Sequence, residues 1–168
     1  ALTSSRVGAV RLQRDFVRRD PLDPERVTFL KAFIQGCLEP AVEKVKQRLQ
    51  PGEQPILVAT SGTALAAANL LSDSQIRSNR LHGLAFTRSD LQALVQRILP
   101  LDAEQRRQLS GINDRRAEII VPGLLVLETA MELVDAKQFV ISERALREGL
   151  IIDWMLRHDL IVDRFAYQ

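Results

Sequence analysis

The sequence is poor in the residue types that most often perform catalysis or bind metals. It has one cysteine and two histidines among 168 residues. Cys37 has no second cysteine with which to form a disulfide bond, and His82 and His158 do not match the spacing of a zinc motif. The chain also lacks a nucleophile elbow, a Walker phosphate loop and a dinucleotide-binding fingerprint. We therefore predict neither a self-contained catalytic set nor a metal cluster.

Long apolar runs and a secretory leader are absent as well. The composition, 46% hydrophobic and 26% charged, is typical of a globular domain and excludes the disordered, collagen-like and transmembrane classes. Residues 1–20 contain five arginines and two aspartates, so they have no apolar segment of the kind that a signal peptide needs. We expect a cytoplasmic protein without a membrane partner, in a reducing compartment that suits its free thiol.

The net charge of +2 is too small to indicate a nucleic-acid partner, and none is predicted. The cations are unevenly divided, however, into 19 arginines and 4 lysines. A guanidinium group presents a rigid fork of donors that matches phosphate oxygens, so this excess is compatible with polyanion binding. The alternative is that the arginines only solvate exposed helix faces.

Hydrophobic periodicity predicts an α/β fold in which helices pack on a partly parallel sheet. Strands are predicted at residues 6–12, 55–59 and 137–142, with a long helical excursion between the last two. Helices are predicted from Pro24 to just before Pro51, over 63–71, after capping boxes at Thr87 and Asp102, over 114–134 with a kink or break at Pro122 and Gly123, and over 143–158. A polar loop is expected over 73–80.

The turn Ser61-Gly62-Thr63 joins the second predicted strand directly to a helix. The first amides of a helix have no acceptor within it, and with the helix dipole they favour an anion. Gly62 lets the backbone approach a ligand closely, because it has no side chain. None of the three residues readily transfers a proton, so we interpret the turn as a binding element. The alternative is an ordinary tight turn with a Ser or Thr cap.

Two arginine-bearing segments are further candidates for binding phosphate. In "VISERALREG" a strand leads past Ser142, a possible helix cap, into a segment that carries Arg144 and Arg147. In "NDRRAEIIVPG" a helix opens with Arg115 and Arg116, which point about 100° apart, so that one of them can face a ligand while the other is solvated. Solvent-exposed arginines are the alternative in both segments.

Four motifs in register resemble the second domain of the exopolyphosphatase and guanosine pentaphosphate phosphohydrolase family. They are "GAVRL", "VATSGTA.AAANL", "L....GINDRRAEIIVPG" and "FVISERALREGLI", and the resemblance extends from Val7 to Leu156. It implies a ribonuclease-H-like domain of the actin and sugar-kinase superfamily. It also implies hydrolysis of a terminal phosphoanhydride of inorganic polyphosphate or guanosine pentaphosphate with Mg²⁺, and a possible homodimer.

The resemblance assigns phosphate-binding roles to Ser61, Gly62, Thr63, Arg116 and Arg147. The catalytic glutamate, the metal-associated aspartate and the glycine-rich phosphate loop of the family lie upstream of the "GAVRL" motif. The chain starts at Ala1, just before that motif, so we expect the first domain and two strands of the second to be missing from residues 1–168. We expect such a chain to be inactive by itself, with a gap in its sheet beside the first predicted strand.

Two other functions remain open at this stage. One is a binding module for polyphosphate or nucleotides that performs no catalysis. The other is an actin-like or sugar-kinase-like domain that uses the Ser61-Gly62-Thr63 turn to bind ATP.

Overall fold

Three short strands form a mixed sheet in the computed structural model, which describes residues 3–72 and 81–162. They are β1 (Leu57–Ala59), β2 (Ala85–Thr87) and β3 (Gln138–Ile141), in the spatial order β1-β3-β2. The β1–β3 pair is parallel and the β2–β3 pair is antiparallel. Because β3 has a partner on each side, it is the central strand, and its Phe139 and Ile141 are buried in the core.

Seven helices surround this sheet in the described part of the chain. They are α1 (Ala9–Phe16), α2 (Pro24–Lys46), α3 (Gly62–Leu71), α4 (Arg88–Ile98), α5 (Ala103–Arg107), α6 (Asp114–Leu133) and α7 (Leu146–Arg157). Helix α6 contacts each of α1 to α5, so it is the axis of the core. Its buried residues Ile120, Leu124 and Leu125 are at most 1% exposed. The predicted α/β class, with helices packed on a mixed sheet, is confirmed.

The predicted starts of α2, α4 and α5 are present, and each of these three helices has the expected cap. The Asp23 carboxylate accepts a hydrogen bond from the Arg26 amide at 2.7 Å, and Pro24 occupies the first position of α2. Helix α4 begins with a reciprocal capping box between Thr87 and Asp90, and helix α5 begins with one between Asp102 and Gln105. Local capping chemistry therefore fixes where these three helices begin.

The strand predicted at residues 6–12 is wrong, because the segment enters helix α1 at Ala9. Leu12 and Phe16, four residues apart, both face the interior: Leu12 is fully buried, and the ring of Phe16 lies 4.5 Å from that of Phe33. The helical spacing becomes visible only when Phe16 is included, and Phe16 lies outside the seven residues whose alternation resembles a strand. In the described part of the chain β1 pairs only with β3, so the segment does not fill the other edge of the sheet.

Three further details differ from the sequence prediction. Strand β2 was not predicted, because it has only three residues and ends at Thr87, which also caps α4. Helix α6 is continuous through Pro122, so the break that was predicted there as the alternative to a kink is absent. Ser142 does not cap α7, which begins at Leu146; its hydroxyl instead binds the Arg144 backbone. The loop predicted at 73–80 lies outside the described residues.

The predicted last helix is present as α7, but it buries none of its residues. Its largest apolar side chains are 44–77% exposed: Leu146, Leu150, Ile151, Ile152 and Trp154. Within the described residues, no helix is both long and apolar enough to span a membrane.

Candidate functional site

A cleft of about 600 Å³ lies where α1, the beginning of α3 and the first half of α6 meet. The predicted residues Ser61, Gly62, Thr63 and Arg116 all line it. Residues 61–63 and Arg116 are more than fifty positions apart in the sequence, so the fold brings together two segments that were singled out separately.

The Ser61-Gly62-Thr63 turn forms the N-terminal end of α3. The Ser61 hydroxyl accepts a hydrogen bond from the Ala64 amide at 3.1 Å, so it caps the helix as the alternative interpretation proposed. The amides of Gly62 and Thr63 occupy the first two helical positions, which have no acceptor inside the helix. Capping and anion binding are compatible here, because they use different groups of the same turn.

Gly62 and Arg116 are in direct contact. A methyl group at Gly62 would overlap Cζ and Nη2 of the Arg116 guanidinium and would lie 3.0 Å from Nη1. The absence of a side chain at position 62 therefore makes the space in which the guanidinium lies against the start of α3. This contact places a positive charge beside two backbone donors, which is the combination that binds phosphate oxygens.

The first turn of α6 selects Arg116 over Arg115. The Asn113 side chain caps this helix by accepting a hydrogen bond from the Arg116 amide at 3.0 Å. Arg116 is half-buried and lines the cleft, whereas Arg115 is exposed and does not. The sequence predicted that one of the two could face a ligand while the other is solvated, and the structure places Arg116 along the cleft. Its contact with a phosphate group stays a prediction.

A second glycine allows α3 and α6 to approach closely. A Cβ at Gly123 would lie 2.6 Å from Oγ1 and 2.7 Å from Cγ2 of Thr63. These distances are too short for a real contact, so glycine is required where the two helices cross. The alanine-rich face of α3 packs into the same core, with Ala64, Ala67 and Ala68 at most 1% exposed.

The buried Arg106 holds the other side of α6. Its side chain is 1% exposed and makes a two-pronged ion pair with Asp20, at 2.6 and 2.9 Å. It also donates to the carbonyl oxygens of Leu101 and of Ala117, the latter at 2.7 Å. Because Ala117 directly follows Arg116, this network fixes the turn of α6 that presents Arg116 to the cleft.

Two residues of the cleft, Arg11 and Arg14 of α1, were missed by the sequence analysis. The reason is the wrong strand assignment of residues 6–12, which separated these arginines from any candidate site. Both contact Asp15, at 3.4 Å from Arg11 Nε and 2.7 Å from Arg14 Nε. The hydrogen bond from Arg14, together with the weaker one from Arg11, lowers the pKa of Asp15 below its usual value.

Arg147 is the one predicted site residue that the fold does not bring to this cleft. Its side chain is 89% exposed on α7 and lies 3.6 Å from the Glu148 carboxylate. Glu148 in turn accepts a hydrogen bond from the Ala145 amide at 2.8 Å, which lowers the pKa of Glu148. A phosphate contact of Arg147 stays a prediction.

The residues of the cleft do not fit a magnesium site. Mg²⁺ prefers carboxylate and other oxygen ligands, whereas the residues described along the cleft include three arginines and no aspartate or glutamate. Residues 3–72 and 81–162 contain no group of three or more His, Cys, Asp or Glu side chains that could hold a metal ion. What these residues can do is bind and neutralise a phosphate group.

Comparison with known proteins agrees with this chemistry. The model of the Ppx/GppA phosphatase family matches residues 1–158. Exopolyphosphatase 1 of Mycobacterium leprae is 34% identical over 146 residues, which cover 87% of this chain and 42% of the relative. Exopolyphosphatase 1 of Mycobacterium tuberculosis is 33% identical over 147 residues, with the same coverage. The chain thus spans less than half the length of these two relatives.

Solved structures show the same fold at lower identity. An Aquifex aeolicus member of the Ppx/GppA family superposes with a TM-score of 0.73 at 23% identity, over 90% of this chain and 47% of that one. An exopolyphosphatase from Cytophaga hutchinsonii gives 0.75 at 19% identity, over 93% and 49%. From the match of the family model to nearly the whole sequence, we conclude that this chain belongs to the Ppx/GppA phosphatase family.

Proposed function

We propose that the chain is part of a phosphohydrolase that removes the terminal phosphate from inorganic polyphosphate or from guanosine pentaphosphate. In this proposal the cleft between α1, α3 and α6 binds the phosphate that is transferred. The observation that carries it is the contact between the Arg116 guanidinium and Gly62 at the start of α3. The names of the relatives, exopolyphosphatase, support polyphosphate as the substrate.

The arrangement suits phosphoryl transfer, in which catalysis consists mostly of positioning and of stabilising negative charge. The amides of Gly62 and Thr63 and the Arg116 guanidinium can donate to different oxygens of one phosphate group. The carboxylates for a catalytic base and for Mg²⁺ belong, in our proposal, to another part of the protein. This chain then corresponds to most of the second domain of a two-domain, actin-like enzyme of the cytoplasm, whose first domain forms the opposite wall and which can form a homodimer.

Binding of tripolyphosphate to this chain tests the proposal, with neighbouring arginines as a matched pair. We expect Arg116→Ala to weaken binding about tenfold to a hundredfold, because a hydrogen bond to a charged group contributes about 1.5–3 kcal/mol. Arg115→Ala removes the same charge from the exposed neighbour and should change the affinity by less than about threefold, as expected for a screened surface charge. Equal effects of the two variants in isothermal titration calorimetry would count against the proposal.

Activity assays separate this role from the alternatives. With Mg²⁺ and long-chain polyphosphate, we expect binding to this chain without release of phosphate, since the groups that break the bond lie elsewhere. Rapid phosphate release by these residues alone would contradict that placement. Saturable ATP binding combined with indifference to polyphosphate would instead favour a sugar-kinase-like function. If the longer protein also binds polyphosphate without hydrolysing it, the function is that of a binding module.

A further inference from the structure

Arg11 and Arg14 line the part of the cleft that lies along α1, next to the proposed phosphate position at Gly62 and Arg116. The two residues are three positions apart on α1, which places them on the same face of the helix. The buried Leu12 anchors another face of α1 in the core. The helix therefore presents a pair of arginines to the cleft that also contains Arg116.

Among the residues that the structure describes, the pair shares the Asp15 carboxylate as its counterion. Asp15 lies 2.7 Å from Arg14 and 3.4 Å from Arg11. Two guanidinium groups on one carboxylate leave a net positive charge, and a guanidinium has five N–H donors, most of which stay available. The side chains of Arg11 and Arg14 are 52% and 74% exposed, so a ligand in the cleft can reach them.

We propose that Arg11 and Arg14 bind phosphate groups further along a polyphosphate chain whose terminal group lies at Gly62 and Arg116, and that Asp15 competes with this chain for both guanidinium groups. The inference rests on the proposed function, because it uses Arg116 as the position of the terminal phosphate. Arg11 and Arg14 would form a second subsite, which only a long polyphosphate chain can reach.

The chemistry favours a linear polyanion over a compact one. The contacts at Arg116 and at the start of α3 are enough to bind both phosphate groups of a ligand that has only two. A longer chain carries further negative charges past α1, where a forked guanidinium binds phosphate oxygens more specifically than a point charge does. When a long chain binds, the ion pairs of Asp15 with Arg11 and Arg14 have to break. The negative charge of Asp15 therefore weakens the binding of long chains and not that of short ones.

Pyrophosphate and long-chain polyphosphate are the probes that separate the two positions. We expect the double variant Arg11→Gln/Arg14→Gln to weaken long-chain binding at least tenfold and to leave pyrophosphate binding within twofold, which corresponds to less than about 0.4 kcal/mol. Asp15→Asn should tighten long-chain binding severalfold. Arg48→Gln/Arg157→Gln is the matched control, because it removes two charges at exposed positions outside the cleft.

Salt dependence gives a second readout that a folding defect does not imitate. Each phosphate contact that is lost lowers the slope of log affinity against log salt, so the double variant should reduce that slope for the long chain only. Equal long-chain affinities of the double variant and the wild type would overturn the inference, as would an equal loss for both ligands. Failure of Arg116→Ala to weaken pyrophosphate binding would overturn the proposed function instead.

Discussion

At the scale of single residues, a side chain at position 62 would displace the guanidinium of Arg116 but leave the fold intact. A methyl group there would overlap the guanidinium of Arg116, which is the mobile end of a long side chain and can move away. We therefore predict that Gly62→Ala folds normally but displaces the guanidinium and weakens tripolyphosphate binding about tenfold, the loss of one charge-assisted hydrogen bond.

A double-mutant cycle checks this explanation by calorimetry. If Gly62 acts through Arg116, then Gly62→Ala should have little further effect in the Arg116→Ala background. Additive losses would mean that the added methyl group obstructs the ligand directly.

Asp90 gives a residue-scale prediction about pH. Its carboxylate accepts hydrogen bonds from the hydroxyl and then the amide of Thr87, and these lower the pKa of Asp90 in the folded state. Folding then favours the ionised form, so the stabilisation is complete above the ordinary aspartate pKa of about 3.9 and is lost as the pH falls through the lower folded pKa.

The matching experiment compares wild type and Asp90→Asn by thermal unfolding between about pH 6 and pH 3, a window that spans the ordinary aspartate pKa. We expect the wild type to lose its small advantage at the acidic end, a fraction of a kcal/mol because Asp90 is largely exposed. Parallel pH profiles of the two proteins would contradict the assignment.

At the scale of elements, the crossing of α3 and α6 depends on Gly123. In a helix interior Gly→Ala normally stabilises by about 0.5–1 kcal/mol. Here the new methyl group would lie 2.6 Å from Thr63 Oγ1, and overpacking of a dense core costs about 1–3 kcal/mol. We predict that Gly123→Ala lowers the free energy of unfolding in urea.

Gly36 is the matched control, since it is exposed in α2 and a Cβ there would meet none of the described atoms within 4 Å. Gly36→Ala should therefore stabilise the protein. Stabilisation by both substitutions would show that α3 and α6 are not as close as the structure places them.

The elements that the sequence predicts well are those with strong local signals. Helix α2 has an aspartate cap and a proline at its first position. In the capping boxes of α4 and α5, both partners can be recognised in the sequence because they are three residues apart. Strand β2 has no such signal, because its three residues are fixed by pairing with β3 rather than by their own pattern. For α1, the strand-like alternation of a few residues concealed a helical spacing that only the packing of Phe16 reveals.

At the scale of the whole molecule, the Arg106 side chain joins Asp20, which is 86 residues away in the sequence, to the first turn of α6 at Ala117. Arg106→Gln would leave Asp20 and two carbonyl oxygens without their partner, and breaking a buried ion pair costs about 3–5 kcal/mol. Asp20 is 25% exposed, so we predict a loss near the lower limit, about 3 kcal/mol, in urea denaturation.

Arg107 provides the control for this prediction. It pairs with Glu104 and Glu118, whose side chains are 77% and 54% exposed. Arg107→Gln should destabilise the protein far less, because water replaces the lost contacts. Similar losses for the two variants would mean that the burial of Arg106 has no special weight in the fold.

The candidate site was only partly predictable, because it is assembled by tertiary packing. Ser61, Gly62 and Thr63 were singled out by the chemistry of a helix start. For Arg116, the rotation between adjacent helical residues left it open alongside Arg115, and the family resemblance chose between them. The cleft that residues 61–63 share with Arg116 follows from how α3 packs on α6, which no local pattern contains. Arg11 and Arg14 were missed because residues 6–12 were assigned to a strand, whereas their place along the cleft depends on where helix α1 packs.

NMR on this 18.9 kDa chain can locate the bound anion and so decide whether the cleft between α1, α3 and α6 is the phosphate site. During titration with tripolyphosphate, we expect the largest shifts at the amide resonances of Gly62 and Thr63 and at the side-chain Nε–H of Arg116. The amide of Gly36, on the exposed face of α2, should stay unchanged. If the largest shifts instead appear around Arg147 on α7, while Gly62 and Arg116 are unaffected, the cleft is not the phosphate site and the proposed function of α3 and α6 is wrong.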